Sequence, residues 1–111
     1  MAAPASGTRG STTGRPVMVV LDMLGRRWAL RVLWELRDGP LSFRELRSAC
    51  DDISPSVLNR RLAELRELDV VERSDEGYRL GREGERLAEL LLPLNAWAKR
   101  WARRQASTKS P

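Results

Sequence analysis

The sequence predicts a mainly α-helical domain that carries one small β-hairpin. Three observations lead to this prediction: helical spacing of apolar residues over most of the chain, two helices joined by a short turn, and two strand-like segments around a glycine-containing turn. The 111 residues, 41% hydrophobic and 32% charged, suffice for one small domain. That domain is predicted over 17–104, after a disordered arm at 1–16 that lacks periodicity and before a flexible tail at 105–111.

Two helices are predicted over the first third of the chain. The first ends at Gly25 and has its apolar residues on one face, namely Val17, Val20, Leu21 and Leu24. The second is predicted over 26–37 and is stopped by Asp38, Gly39 and Pro40; its apolar stripe comprises Trp28, Val32, Leu33 and Leu36. Aromatic residues at helical spacing favour the core, although Trp28 and Trp34 could also line an effector pocket.

Two further helices follow, separated by a tight turn at 51–53. Ser42 and Glu45 have the spacing of a capping box, which predicts a short helix with Phe43, Leu46 and Ala49 inward. Ser54 before Pro55 predicts the start of the next helix, Ser54–Leu68, because the hydroxyl caps it and proline suits its first position. The spacing divides this helix into a core face of Leu58, Leu62 and Leu65 and an outward face of Ser56, Asn59, Arg60 and Ala63.

A hairpin and a last helix complete the predicted domain. The strands are predicted at 70–73 and 78–80, around the turn 74–77, whose glycine suits a positive φ. The last helix begins near Arg82, with a kink expected at Pro93. Its apolar stripe exceeds what one small domain needs, which predicts a homodimer with the interface residues Leu87, Leu90, Leu91, Leu94, Trp97 and Trp101.

This order of elements is the winged helix-turn-helix arrangement, in which the second helix of the central pair enters the major groove of duplex DNA. The N-terminal residues of such a recognition helix contact bases, and asparagine suits adenine as arginine suits guanine. We therefore expect base contacts from Ser56, Asn59 and Arg60, with no acidic side chain compensating them within one turn.

The sequence resembles the HxlR family of bacterial transcriptional regulators over about 16–101. The matching residues are Leu24-Gly25-Arg26-Arg27-Trp28, Leu36, Gly39-Pro40, Phe43, Leu46, Ile53-Ser54, Val57-Leu58, Arg61-Leu62, Leu65, Tyr78, Leu80, Gly84, Leu87 and Trp97. The resemblance implies a homodimeric DNA-binding regulator that dimerises through its terminal helices, with repression as the family expectation. Twofold symmetry then predicts a palindromic DNA site, and whether a small-molecule effector is a further partner stays open. The candidate phosphate contacts are Arg27, Ser42, Arg44, Ser54, Arg61, Arg73 and Arg79, of which Arg61 could instead pair with a carboxylate of its own domain.

Three departures from the family pattern affect these expectations. Redox-sensing members carry a cysteine at the place of Arg15, so thiolate sensing of that kind is not expected here. The predicted wing is short, which reduces its expected reach towards the minor groove. Gly81 replaces a threonine that usually caps the last helix, a small loss because glycine is a tolerable cap.

Charge and composition narrow the function classes further. The net charge is +5, yet residues 17–96 hold 13 basic and 15 acidic side chains, so charge alone does not indicate nucleic acid. This near neutrality leaves a second hypothesis open, a winged-helix module that binds protein rather than DNA. The absence of histidine and the single Cys50, expected to be buried, argue against an enzyme, a metal site or a cofactor. We expect a cytoplasmic protein without a membrane partner, since no signal peptide or spanning segment is recognisable.

Overall fold

A computed structural model of the protein describes residues 15–109 and confirms the mainly helical fold with one hairpin. Its elements, in chain order, are α1 Pro16–Leu24, α2 Ala29–Glu35, α3 Phe43–Ala49, α4 Pro55–Glu67, β1 Val71–Ser74, β2 Gly77–Leu80 and α5 Arg82–Lys109. Most of the predicted arm lies outside the described residues. Helix α5 extends to Lys109, past the predicted end of the domain at residue 104.

The core lies between α2, α3, α4 and the hairpin. Its fully buried side chains are Val32, Leu33, Leu36, Leu46, Cys50, Leu58, Leu62, Leu65 and Val71. Burial of one such leucine contributes about 1.5–3 kcal/mol, so this cluster fixes how the helices pack. Leu41, in the linker between α2 and α3, exchanges two backbone hydrogen bonds with Tyr78 of β2, at 2.9 and 2.8 Å, and so joins the hairpin to the helices.

Helix α2 is shorter than the sequence predicts, beginning at Ala29 rather than near residue 26. Trp28 has a left-handed backbone, with φ of 79°, and the amide of Ala29 donates to the carbonyl of Arg26 at 3.1 Å. A left-handed residue cannot continue an α-helix, so residues 26–28 form a turn. The four-residue apolar spacing does not distinguish this turn from a helical one.

The apolar face predicted for α1 is largely exposed. Val17 is 58% exposed and Leu21 55%, whereas Met23 is the buried residue of this helix. The spacing predicts the helix correctly, but the body of the protomer does not cover its apolar face. Trp28 packs against the core as expected, while Trp34 lies partly exposed between α2 and α5.

The hairpin is antiparallel, with Glu72 opposite Arg79 and Arg73 opposite Tyr78. Its strands begin and end within one residue of the predicted limits. Gly77 has φ of 127°, and a Cβ there would collide with the backbone of Leu41, so both conformation and space require glycine.

Helix α5 has 28 residues, which corresponds to a length of about 42 Å, and it continues past Pro93. Its first turn packs closely on the hairpin, because a Cβ on Gly84 would collide with the carbonyl oxygen of Val70. Farther along, Leu91 packs against the core. In the part of the chain described here, no helix combines the length and apolarity needed to cross a membrane.

Candidate DNA-binding surface

The turn between α3 and α4 is held by hydrogen bonds to its backbone. Asp51 and Asp52 both have positive φ, 59° and 58°, which reverses the chain direction within the predicted turn. The guanidinium of Arg47 donates to the carbonyl of Ile53 at 2.6 Å, and that of Arg31 donates to the carbonyl of Ala49 at 2.6 Å. These contacts fix the angle at which α4 leaves α3.

Helix α4 begins as the sequence predicts. The hydroxyl of Ser54 accepts a hydrogen bond from the amide of Val57 at 3.2 Å, and Pro55 occupies the first helical position. The capped N-terminus carries the positive end of the helix dipole and unpaired backbone amides, which favours a nearby phosphate. Leu58, Leu62 and Leu65 are buried, confirming the predicted core face.

The three residues expected to contact bases are exposed on the opposite face of α4. Ser56, Asn59 and Arg60 lie within the first two turns. The hydroxyl of Ser56 is 3.3 Å from that of Ser54, whereas the side chains of Asn59 and Arg60 make no hydrogen bond or ion pair with the described part of the chain. Their polar groups are therefore available to a partner molecule.

A second arginine on α4 is turned inward. The Nε of Arg61 donates to the carbonyl of Arg27 at 2.7 Å, and its Nη1 contacts Oε1 of Glu64 at 3.2 Å. The other oxygen of Glu64 accepts from Arg26 at 2.9 Å. The side chain of Arg61 is only 15% exposed, so of its two possible roles the structure shows pairing with a carboxylate of its own domain. Arg27, whose guanidinium lies 5.5 Å from the ring centre of Trp28, is exposed beside this helix.

The N-terminus of α3 has the predicted capping box. The hydroxyl of Ser42 accepts from the amide of Glu45 at 3.0 Å, and the amide of Ser42 donates to the carboxylate of Glu45 at 2.8 Å. Arg44, in the first turn, is exposed. Ser42 is thus a structural cap, and this role is compatible with a phosphate contact at the same helix end.

The two arginines of the wing have different surroundings. Arg79 is paired across the strands with Glu72, with 2.6 Å between nitrogen and oxygen, which offsets part of its charge. Arg73 lies over the ring of Tyr78, with 5.4 Å from guanidinium carbon to ring centre, and has no acidic partner among the described residues. Only Asp75 and Glu76 separate the strands, so the wing is short as predicted.

The predicted dimer-interface residues fall into two groups. Leu87 and Leu91 pack against the protomer's own core. The remaining four, Leu90, Leu94, Trp97 and Trp101, are exposed, at 70, 53, 47 and 46%, and the two indole rings stack with centres 6.1 Å apart. Beside them, an apolar groove between α2 and α5 is lined by Leu30, Arg31, Trp34, Leu91, Leu94, Asn95 and Ala98.

The single cysteine is in an environment that disfavours its reactive thiolate form. Cys50 is fully buried, and this burial raises the pKa of its thiol, an effect that the positive charge of Arg31 only partly opposes. Burial favours the neutral thiol over the thiolate, which is the reactive form. No group of three histidine, cysteine, aspartate or glutamate side chains within residues 15–109 is arranged to hold a metal ion.

Of the two ion pairs that Glu64 makes on α4, the sequence indicates only one. Arg61 and Glu64 are three residues apart on a helix, so their pairing is readable from spacing. The contribution of Arg26 is not, since it comes from a turn 38 residues earlier in the chain. Glu64 also lies four residues after Arg60, so an acidic side chain is close enough in the helix to pair with Arg60.

These elements define a winged helix-turn-helix protein with an exposed recognition helix. The chain belongs to the HxlR family: its residues 23–106 match the model of the HxlR-like helix-turn-helix. Members of this family are transcriptional regulators that bind DNA through the helix-turn-helix, and this chain is a DNA-binding regulator of that kind. The membership of the HxlR family that the sequence resemblance indicated is confirmed.

Three relatives show how far the similarity extends. The uncharacterised HTH-type transcriptional regulator YvaP of Bacillus subtilis is 33% identical over 89 residues, which cover 73% of this chain and 82% of YvaP. A crystal structure of a possible HxlR family transcriptional factor from Thermoplasma volcanium matches with a TM-score of 0.69 and 28% identity, covering 80% of this chain and 86% of that one. Quinone-bound YodB from B. subtilis matches with a TM-score of 0.67 and 33% identity, covering 73% and 92%. All three are named as transcriptional regulators or factors.

Proposed function

We propose that this regulator is a homodimeric repressor that reads a palindromic operator with the first two turns of α4. The observation that carries the proposal is the exposed, unpaired state of Asn59 and Arg60 beside the capped helix N-terminus. An asparagine amide matches the major-groove edge of adenine, and a guanidinium matches that of guanine. Ser56, one turn earlier, adds a hydroxyl that donates or accepts.

Phosphate contacts would fix the orientation of α4 in the groove. We propose Ser42 and Ser54 as the helix N-termini that face the backbone, with Arg27 and Arg44 supplying positive charge. Arg73 is the stronger candidate of the wing arginines, because the charge of Arg79 is partly neutralised by Glu72. We leave Arg61 out of this set, since Glu64 and the carbonyl of Arg27 already hold its guanidinium.

The dimer is proposed to form through α5 and α1. The exposed residues Leu90, Leu94, Trp97 and Trp101 and the uncovered face of α1 together form more apolar surface than a small monomer usually shows. A twofold axis between two copies would place two recognition helices about 34 Å apart, one turn of B-DNA, or a multiple of it.

The recognition residues are tested by selecting a binding duplex from a random library with the wild-type protein and titrating variants against it. Asn59→Ala and Arg60→Ala each remove one bidentate base contact, so each weakens binding by about 1–3 kcal/mol. Each variant also relaxes the base preference at one position of the half-site. Affinities are measured by fluorescence anisotropy at fixed salt.

Arg66→Ala is the matched control for this experiment. Arg66 is an exposed arginine in the last turn of the same helix, so its removal changes the net charge as Arg60→Ala does, without touching the proposed base contacts. Undiminished binding by both Asn59→Ala and Arg60→Ala would overturn the assignment of the recognition residues.

We also propose that a small-molecule effector of this regulator binds without forming a bond to a thiol. The relative YodB has been crystallised in a quinone-bound form. In this chain the single cysteine is buried with a raised pKa, and the apolar groove beside Trp34 is the alternative place for a flat aromatic molecule. Rapid modification of Cys50 by the effector in the folded protein would contradict this proposal.

A further inference from the structure

Glu64 lies on the recognition helix within reach of two arginines of the same helix. It follows Arg60 by four residues and Arg61 by three, and both spacings bring side chains together on a helix surface. A carboxylate paired with Arg60 would neutralise the side chain proposed to read a base. The contacts that Glu64 makes therefore decide whether Arg60 is free.

Both oxygens of Glu64 are engaged away from Arg60. Oε1 contacts Arg61 at 3.2 Å, and Oε2 accepts from Arg26 at 2.9 Å. The side chains involved are 15 to 24% exposed, so water competes with these contacts less than at an open surface. Arg26 is also 3.7 Å from Asp22, and Arg61 is fixed by the carbonyl of Arg27.

These contacts of Glu64, Asp22 and the carbonyl of Arg27 determine which arginines next to the recognition helix are paired. Arg26 and Arg61 are held against the protein, while Arg60 remains exposed and unpaired within the described residues. Free arginines beside a DNA-binding helix bind phosphates whatever the base sequence, which strengthens non-specific binding. Holding Arg26 and Arg61 inward therefore favours binding that depends on base contacts.

We infer that Glu64 is a positioning residue for specificity: it restrains Arg26 and Arg61 from phosphate contact and thereby keeps Arg60 available for a base. This role rests on the proposed DNA-reading function of α4. It differs from a purely structural brace, because loss of the charge on Glu64 then strengthens binding to unrelated DNA instead of weakening all binding.

The test compares Glu64→Gln with the wild-type protein on two probes, the duplex selected by the wild-type protein and a random-sequence duplex of equal length. Glutamine keeps the shape and one acceptor but removes the negative charge. We expect tighter binding to the random duplex and a lower ratio of selected to random affinity. The slope of log K against log salt should steepen by about 1 to 2 per protomer, since each freed arginine adds about 0.9.

Two variants isolate the cause. Glu67→Gln removes an equal charge from the same helix. Glu67 is exposed and makes no ion pair within the described residues, so this variant controls for the change in electrostatic potential near the DNA. In Arg26→Gln/Glu64→Gln, one of the freed arginines is absent, so about half of the added salt dependence should disappear. Over about 50 to 200 mM salt, one such contact corresponds to roughly a threefold difference in affinity.

The outcomes separate this inference from the proposed function. Failure of the wild-type protein to select any duplex from the random library would remove the proposed function and this role with it. Equal slopes for wild type and Glu64→Gln, or equal effects of Glu64→Gln and Glu67→Gln, would overturn the role of Glu64 alone. A lower melting temperature with weaker binding to both duplexes would make Glu64 a structural brace.

If Glu64→Gln does not fold, Arg26→Gln tests the same ion pairs. The released Oε2 of Glu64 should pair with Arg60 and weaken binding to the selected duplex. Unchanged binding would overturn the inference.

Discussion

At the scale of single residues, charge and burial determine which side chains can react or bind. Thirteen basic and 15 acidic side chains over residues 17–96 leave the domain nearly neutral, so pairing matters more than number. Arg61 and Arg79 are paired with carboxylates, whereas Arg60 is not. Cys50 is the corresponding case for reactivity, since its burial keeps the thiol neutral.

The raised pKa of Cys50 predicts an inert thiol. At about pH 8 an aromatic disulfide reagent should label Cys50 in the folded protein far more slowly than in concentrated guanidinium chloride, because the thiolate is disfavoured and the sulfur is inaccessible. The appearance of the released chromophore measures both rates. A double variant, Ser48→Cys with Cys50→Ala, places a thiol at an exposed position of α3, two residues earlier in the chain, and should react much faster. Equal rates for the two folded proteins would contradict the prediction.

At the scale of elements, the sequence predicts what local chemistry determines. The capping box at Ser42 and the Ser54-Pro55 pair locate the starts of α3 and α4 correctly, because each signal acts within four residues. The start of α2 is predicted wrongly, since the left-handed backbone of Trp28 has no comparable local signal.

Contacts between distant segments could not be predicted either, because they also leave no local signal in the sequence. The ion pair of Arg26 with Glu64 joins a turn to a helix 38 residues later, and only the packed domain brings the two together. Of the candidate site, the exposed face of α4 follows from its periodicity, but the division of its arginines into free and paired does not.

Gly84→Ala tests the close packing of α5 on the hairpin. Alanine favours a helix over glycine by about 1 kcal/mol, yet its Cβ would collide with the carbonyl oxygen of Val70. We expect the collision to dominate and the free energy of unfolding to fall by about 1–3 kcal/mol, as for other overpacked sites. Glu83→Ala, at the exposed neighbouring position, is the control. Denaturant unfolding followed by circular dichroism measures the difference, and a stabilised Gly84→Ala would show that α5 is free to shift.

At the scale of the whole molecule, apolar surface and positive charge are both concentrated on α5. Its exposed apolar residues lie from Leu90 to Trp101, while the chain beyond Glu89 contains no acidic residue. An amphipathic helix that its own domain covers only in its first half needs another surface for the second half. A second copy of the chain would supply that surface without any further component, so the proposed dimer would also set the spacing of the two recognition helices.

Leu94→Glu tests this assembly. A carboxylate at the exposed position 94 would be buried without a partner in the dimer, a penalty of several kcal/mol per copy, so we expect a folded monomer by light scattering and circular dichroism. Lys99→Glu is the control, because it adds more negative charge to the same helix about 140° away around its axis. A monomer reads only one half-site, so affinity for the selected duplex should fall by about a hundredfold or more. Binding to a single half-site should be unchanged; if Leu94→Glu stays dimeric, the interface lies elsewhere on the molecule.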